Sequence, residues 1–230
     1  MIGAPFSARY PADSVQEAME RVIVIGDIHG CYWELMDLLD KIGPTAGDKL
    51  VSVGDLIAKG PNNKEVLEFF QAKRNRRAVI GNHERLLLRR YRGEKVKLKP
   101  AHKQAIKELG RRFRQHMEWV ARLPRYIDLG RYVVVHAGVR PGVPLEKQSV
   151  HDLTEIRALE GGRKGTPWFE RYEGKKKVIF GHWVFPSPLV KKRTIGIDTG
   201  CVYGGQLTAI VLPECKLVSV PAHRTYARKE

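Results

Sequence analysis

The sequence predicts a mixed α/β fold, and three observations predict it. Short apolar, β-branched runs recur along the chain, stretches with helical periodicity separate the first of them, and the last runs crowd together with only glycine-rich turns between them. The first run, Val22–Ile25, is followed by residues 33–42, in which Leu35, Leu38, Leu39 and Ile42 recur at the spacing of one helix face. A second run at 50–53 precedes a helix expected over 63–73, with Val66, Leu67 and Phe70 as its apolar stripe. A third run at 78–80 completes a β-α-β-α-β order, which implies parallel strands joined by right-handed crossovers.

The segment from about 84 to 123 has a different character. Ala105, Ile106, Leu109, Phe113, Met117 and Val120 predict one long, basic, amphipathic helix, an insertion or cap over the sheet. Tyr132–Val135 and residues 178–180 resume the strands. Runs at 195–197, 207–212 and 216–220 follow closely around the turn DTGCVYGG, which suggests an antiparallel section. No repeat or low-complexity linker divides the chain, so 1–230 is expected to be one domain with about 84–124 inserted in it.

An apolar fraction of 43% and a charged fraction of 29% are those of a globular protein. No run reaches the roughly 18 apolar residues of a membrane helix. The start, MIGAPFSARYPADSVQEAMER, has no apolar leader core, so a cytoplasmic protein without a membrane partner is expected. Cys31, Cys201 and Cys215 lack metal-site spacing and read as buried small hydrophobes. The net charge of +16 is concentrated at 73–131, where 19 Lys and Arg face 5 Asp and Glu. Such a stretch attracts polyanions, RNA among them, or is simply a solvated helical face.

Chemistry gathers where strands end. The first run leads into GDIHG (Asp27, His29), the second into GDLIAKGP (Asp55), and the third into GNHE (Asn82, His83, Glu84). Later runs lead into VVVHAG (His136) and FGHW (His182). Ligands of open α/β sheets bind beyond these strand ends. A lone histidine after a strand is ordinarily structural, but a convergent set of carboxylate, imidazole and amide donors without thiolate suits Mn²⁺, Fe or Zn²⁺.

In that order, GDIHG, GDLIAKG, GNHE, VVVHAG and FGH resemble the five blocks of the phosphoprotein-phosphatase-type metallophosphoesterases, over residues 22 to about 200. The resemblance implies the calcineurin-like β-sandwich flanked by helices and two divalent metal ions, Mn²⁺ foremost, with Fe or Zn²⁺ as alternatives. Carried over, Asp27 and His29 bind the first metal, Asp55 bridges both, and Asn82, His136 and His182 bind the second. A hydroxide shared by the metals would attack phosphorus, and His83 would assist the leaving oxygen. Glu84 reads as a helix-start group or as a support behind the metal ligands, rather than as a catalyst.

GDLIAKGP departs from the family pattern GDxxDRG. Ala58 replaces the aspartate that orients the block-three histidine, so the usual Asp–His pair is expected to be absent. Lys59 replaces the phosphate-gripping arginine as a point charge rather than a fork. The A-K-G-P ending, and the DTG…GGxLTA stretch from Asp198 to Ala209, are similar to the symmetrical diadenosine tetraphosphatase branch. That likeness implies a dinucleoside polyphosphate substrate, gripped by Lys59 and by a second clamp, Arg157. Trp168, Trp183 and Tyr203 could stack on a base or pack in the core. A Ser/Thr protein phosphatase with the same centre is the alternative, followed by an RNA 5′-end pyrophosphohydrolase or a non-catalytic RNA-binding protein.

Overall fold

In the computed structural model, which describes residues 20–162 and 164–228, Val22–Ile25 (β1) is buried along its whole length. The expectation that no leader is present falls on the start of the chain and lies outside the described residues, apart from Glu20 and Arg21. The side chains of β1 alternate between two apolar layers. Val22 and Val24 pack with Val51, Ile179, Ile195 and Ile210, whereas Ile23 and Ile25 face Leu35, Leu38, Val66 and Leu67. A strand covered on both faces needs no polar positions, which is why VIVI is apolar throughout.

The chain continues through α1 (Tyr32–Ile42), β2 (Lys49–Ser52), α2 (Asn63–Gln71) and β3 (Arg76–Ala78), and the three strands pair in parallel as expected. Three helices follow: α3 (Asn82–Tyr91), α4 (Pro100–Leu109) and α5 (Phe113–Val120). The single long helix predicted from Ala105 to Val120 is therefore corrected. Gly110 takes φ 51° and ψ −131°, a conformation open to glycine, and a 3₁₀ turn over Gly110–Arg112 redirects the chain. The break lets Ala105 and Leu109 of α4 and Met117 and Val120 of α5 enter the same layer.

Five more strands then form around α6 (Val150–Glu155): β4 (Tyr126–Leu129), β5 (Tyr132–Val135), β6 (Lys177–Phe180), β7 (Leu189–Val190) and β8 (Thr194–Gly196). β9 (Gln206–Leu212) and β10 (Lys216–Pro221) return to the first sheet, whose order is β10-β9-β1-β2-β3. The second sheet runs β4-β5-β6-β8-β7. β9 is antiparallel to both β1 and β10, as the closing section predicted, but β8 pairs in parallel with β6. β4 and β7 were not predicted.

The two sheets share the layer containing Val24, Val53, Ile179 and Ile197, so they form a sandwich. Helices α1 to α5 cover one outer face. Leu153 of α6 and the aromatics Trp168, Phe169 and Phe180 cover the other. Cys31 and Cys201 are buried, but Cys215 is exposed, because it occupies the left-handed position (φ 55°) of the tight β9–β10 turn. No helix among the described residues is long and apolar enough to cross a membrane.

The two sheets approach closely just beyond β1. The Gly26 N–H donates to the Thr208 carbonyl at 2.9 Å, and a Cβ at Gly26 would overlap the Ile197 carbonyl oxygen of the opposite sheet. Gly43, which ends α1 at φ 62°, has open space where its Cβ would be. Gly26→Ala is therefore expected to destabilise by about 3 kcal/mol through overpacking, against about 1 kcal/mol for Gly43→Ala from backbone strain alone. Urea unfolding of both variants checks the difference.

Candidate active site

The loops after β1 and β2 are joined backbone to backbone. Ile28 and His29 donate to the Asp55 carbonyl at 3.2 and 2.8 Å, Gly30 donates to Leu56 at 2.8 Å, and Gly60 donates to His29 at 2.8 Å. This close approach explains the glycine frame of GDLIAKGP: a Cβ on Gly60 would overlap the His29 carbonyl oxygen. It also forces unusual backbone. Among the described residues, six non-glycine residues have positive φ, and five of them (His29, Asp55, Ala58, Lys59 and His182) belong to these loops and the one after β6. Residues in this conformation are strained and cluster where function requires it.

β6 of the second sheet delivers its loop to the same place. The His182 N–H donates to both oxygens of Asp27 at 3.1 Å, and a Cβ on Gly181 would collide with Asp27 Oδ1. Asp55 Oδ1 accepts from the His83 N–H at 3.0 Å. Asp55 Oδ2 lies 3.5 Å from Nε2 of both His29 and His136 and 3.9 Å from His83 Nε2. Glu84 fixes this corner. Its carboxylate accepts from the N–H groups of Asp55, Ile57 and Gly81 at 2.8, 3.1 and 3.0 Å, which confirms its helix-start position on α3.

The donor chemistry converges on positions that a cation would satisfy. His29 and His136 each place Nδ1 near a backbone carbonyl, that of Ile57 at 3.1 Å and that of Val53 at 2.9 Å. A carbonyl only accepts, so these imidazoles carry their protons on Nδ1 and turn bare Nε2 lone pairs inward. His136 Nε2 then lies 2.9 Å from Asn82 Oδ1, acceptor against acceptor, and His182 Nδ1 lies 3.0 Å from the same oxygen. Among the described residues, buried His182 Nε2 has no hydrogen-bond partner. Hydrogen bonds leave such a set unsatisfied, whereas a divalent cation meets it. The donor atoms of Asp55, His136 and His182 lie within 4.8 Å of one another, as do those of His29, Asp55 and His83, and Asp55 belongs to both groups.

Electrostatics agree. Burial, with Asp198 and Asp55 nearby, pushes the Asp27 carboxyl well above the usual range. Burial and the charge of Lys59 push His29 down to about 3, so it stays neutral. Asp198, singled out in the sequence only as part of a branch motif, is buried beside these groups, and burial pushes its carboxyl up to about 6.

Each residue expected from the sequence is placed at this corner. Asp27, His29, Asp55, Asn82, His83 and His182 line a cleft of about 490 Å³, and His136 is buried against Asn82. Lys59 Nζ is 2.9 Å from His29 Nε2 and lies over the Tyr203 ring. Arg157 reaches the cleft wall and donates from Nη2 to the His182 carbonyl at 2.9 Å. Trp183 and Tyr203 line the cleft, while Trp168 is fully buried. The sequence reading missed Lys99, which also lines the cleft, and His102 of α4. Ala58 offers His83 no carboxylate, and His83 Nδ1 lies 2.9 Å from His102 Nε2 instead.

The chain is similar to known proteins in sequence and in fold. The family profile described as calcineurin-like phosphoesterase matches residues 20–217. A protein of Bacillus subtilis named bis(5′-nucleosyl)-tetraphosphatase PrpE, asymmetrical, is 34% identical, over 88% of this chain and 95% of its own. A protein of the same name from Halalkalibacterium halodurans is 33% identical, over 87% and 94%. These names carry the word asymmetrical, whereas the motif resemblance was drawn to the symmetrical branch. Among solved structures, a protein provisionally called a diadenosine tetraphosphatase superposes with a TM-score of 0.78 at 30% identity, covering 90% of this chain and 95% of that one. A serine/threonine phosphatase from Saccharomyces cerevisiae superposes at 0.66 with 15% identity, a likeness of fold, covering 91% and 82%.

Because both donor groups share Asp55, Asp55→Asn is expected to lower turnover by at least about 100-fold, roughly 3 kcal/mol in the barrier. It should also weaken divalent-cation binding in calorimetry. A variant that binds and turns over normally would show that the shared carboxylate is not used.

Proposed function

The chain belongs to the calcineurin-like phosphoesterase family, and from that premise we propose that it hydrolyses the phosphoanhydride chain of dinucleoside polyphosphates such as diadenosine tetraphosphate. Family membership makes it a phosphoric ester or anhydride hydrolase. The observation that carries the reading is Asp55, whose Oδ2 lies equally close to Nε2 of His29 and of His136. We assign Asp27, His29 and Asp55 to one divalent cation and Asp55, Asn82, His136 and His182 to a second. The mixed oxygen and imidazole set favours Mn²⁺, with Fe or Zn²⁺ as alternatives. When bound, the cations supply Lewis-acid charge at the phosphoryl oxygens and acidify a water.

The chain's own residues do the rest. Lys59 and Arg157 neutralise non-bridging oxygens along the polyphosphate, Lys59 as a point charge and Arg157 as a planar fork. His83 hydrogen-bonds the leaving oxygen. Water adds to one phosphorus, the opposite P–O bond breaks, and the electron pair leaves on the bridging oxygen. Relatives named asymmetrical at 33–34% identity support attack next to one nucleoside, giving AMP and ATP. The layer shared by both sheets supports reading 1–230 as one domain with 84–124 inserted in it. So highly charged a nucleotide does not cross membranes unaided, which supports a cytoplasmic role.

The exposed cations of the insertion extend this reading to longer polyanions. Arg112 and Arg114 are exposed and paired with Glu68 and Glu118, and exposed pairs contribute little to stability. This leaves the segment available to RNA bearing a polyphosphate 5′ end. Reversing the charge of Arg111 and Arg112 is expected to raise KM for such RNA severalfold and to flatten its salt dependence, with kcat unchanged. An unmoved KM would mark the segment as a solvated face.

The direct test is product analysis with Mn²⁺ on diadenosine tetraphosphate, a phosphoserine peptide and p-nitrophenyl phosphate. The dinucleotide is expected to exceed the peptide about 100-fold in kcat/KM, roughly 3 kcal/mol, and to yield AMP plus ATP. Lys59→Ala should lower both reactions. ADP alone would mean symmetrical cleavage, and a faster peptide reaction would identify a protein phosphatase.

A further inference from the structure

His102 enters the site from the inserted segment, 19 residues beyond His83. Its position follows from the start of α4. Lys99 is the N-cap, Pro100 occupies the first helical position, and His102 the third. At that position a side chain can reach back to the N-cap amide. His102 does so: its Nδ1 accepts from the Lys99 N–H at 3.2 Å. The ring is buried, and its other nitrogen, Nε2, lies 2.9 Å from His83 Nδ1. The two ring planes are 26° apart with centroids at 4.8 Å, the nearly coplanar, edge-to-edge arrangement of an N–H···N bond.

These contacts fix where the protons are. A ring nitrogen that accepts from a backbone amide carries no proton, so the proton of His102 is on Nε2. Nε2–H donates to His83 Nδ1, which is therefore an acceptor. The proton of His83 is then on Nε2, the nitrogen that lies 3.9 Å from Asp55 Oδ2. A carboxylate partner would do the reverse. It only accepts, so it would hold the His83 proton on Nδ1 and leave Nε2 bare unless the ring became charged.

We propose that His102 is a positioning residue that takes the place left by the carboxylate missing at Ala58, and that it holds His83 as the neutral Nε2–H form. This rests on the reading of His83 as the donor to the leaving oxygen. A neutral imidazole N–H is a good hydrogen-bond donor but a far weaker acid than imidazolium. It steadies an oxygen that departs as a stable anion, and it gives little help to one that must be protonated as it leaves. A polyphosphate oxygen is of the first kind and a serine alkoxide of the second. The His102–His83 pair therefore selects anhydrides and activated esters over alkyl esters, with no net proton transfer from the protein.

The test reads the tautomer directly. In metal-free protein labelled with ¹⁵N-histidine, long-range ¹H–¹⁵N spectra should show His83, identified by its loss in His83→Gln, with a protonated Nε2 and a bare Nδ1. His102→Glu retains a favoured third-position residue for the helix but only accepts, and it should move the proton to Nδ1. His102→Leu removes the partner. With Mn²⁺, its kcat should fall about tenfold more for p-nitrophenyl phosphate than for an alkyl-leaving phosphate, because the neutral donor that is lost serves oxygens that depart as stable anions and gives an alkoxide little. Circular dichroism confirms that each variant is folded. A wild-type His83 protonated on Nδ1, a His102→Glu spectrum unchanged from wild type, or a His102→Leu enzyme with unaltered leaving-group dependence would each overturn the proposal. Absence of hydrolysis of every substrate by the wild type would remove the functional reading instead, and the spectra would still decide the pairing.

Discussion

Asp27, Asp55 and Asp198 are buried together in one cleft, and carboxylates removed from water repel one another with little screening. The surrounding structure answers that repulsion. Lys59 lies within contact of His29 at its edge, Arg157 is tied to the His182 carbonyl, and amide protons of His83 and His182 point at Asp55 and Asp27. Four imidazoles complete the enclosure, and burial keeps them neutral. An apolar core does not tolerate such a gathering for packing alone. A centre that handles phosphate through cations does.

The sandwich exists in the form that this gathering demands. β1 and β6 belong to different sheets, yet the loops that follow them meet, and Gly26 and Gly181 lack the side chains that would keep them apart. Glu84 then links the loop after β2 to the start of α3 through three amide protons. The catalytic corner is thus held by backbone contacts between strand ends. The surface of the inserted segment, where most of the excess charge lies, carries exposed ion pairs such as Arg112–Glu68 and Arg114–Glu118.

Much of this was legible in the sequence, for physical reasons. Strands buried on both faces leave uninterrupted apolar runs, and the residues that follow them carry the chemistry, so Asp27, Asp55 and His136 could be placed before any coordinates. β4 and β7 were not legible: Tyr126–Leu129 is a short run interrupted by Asp128, and Leu189–Val190 is only two residues long. Gly110 lies inside the stretch predicted as one helix and instead ends α4. His102 was hidden because its partner is distant in sequence and its approach depends on how α4 packs. The loss of an aspartate at position 58 was visible; the side chain that compensates for it was not.

The left-handed loop residues carry a further consequence, for how this site could change over time. A position held at positive φ by its neighbours is comfortable for glycine and tolerable for asparagine or aspartate, but it strains most other residues by about 1–2 kcal/mol. Asp55 and His29 bear that strain in exchange for placing a donor. Ala58, at φ 71°, has only a methyl group as side chain, and what it places is its N–H, which donates to Asn63 Oδ1 at 2.6 Å. That makes the Ala58 side chain open to redesign, provided the N–H contact is kept. A glycine there would relax the chain without removing a donor, and the site would remain assembled around a more stable loop.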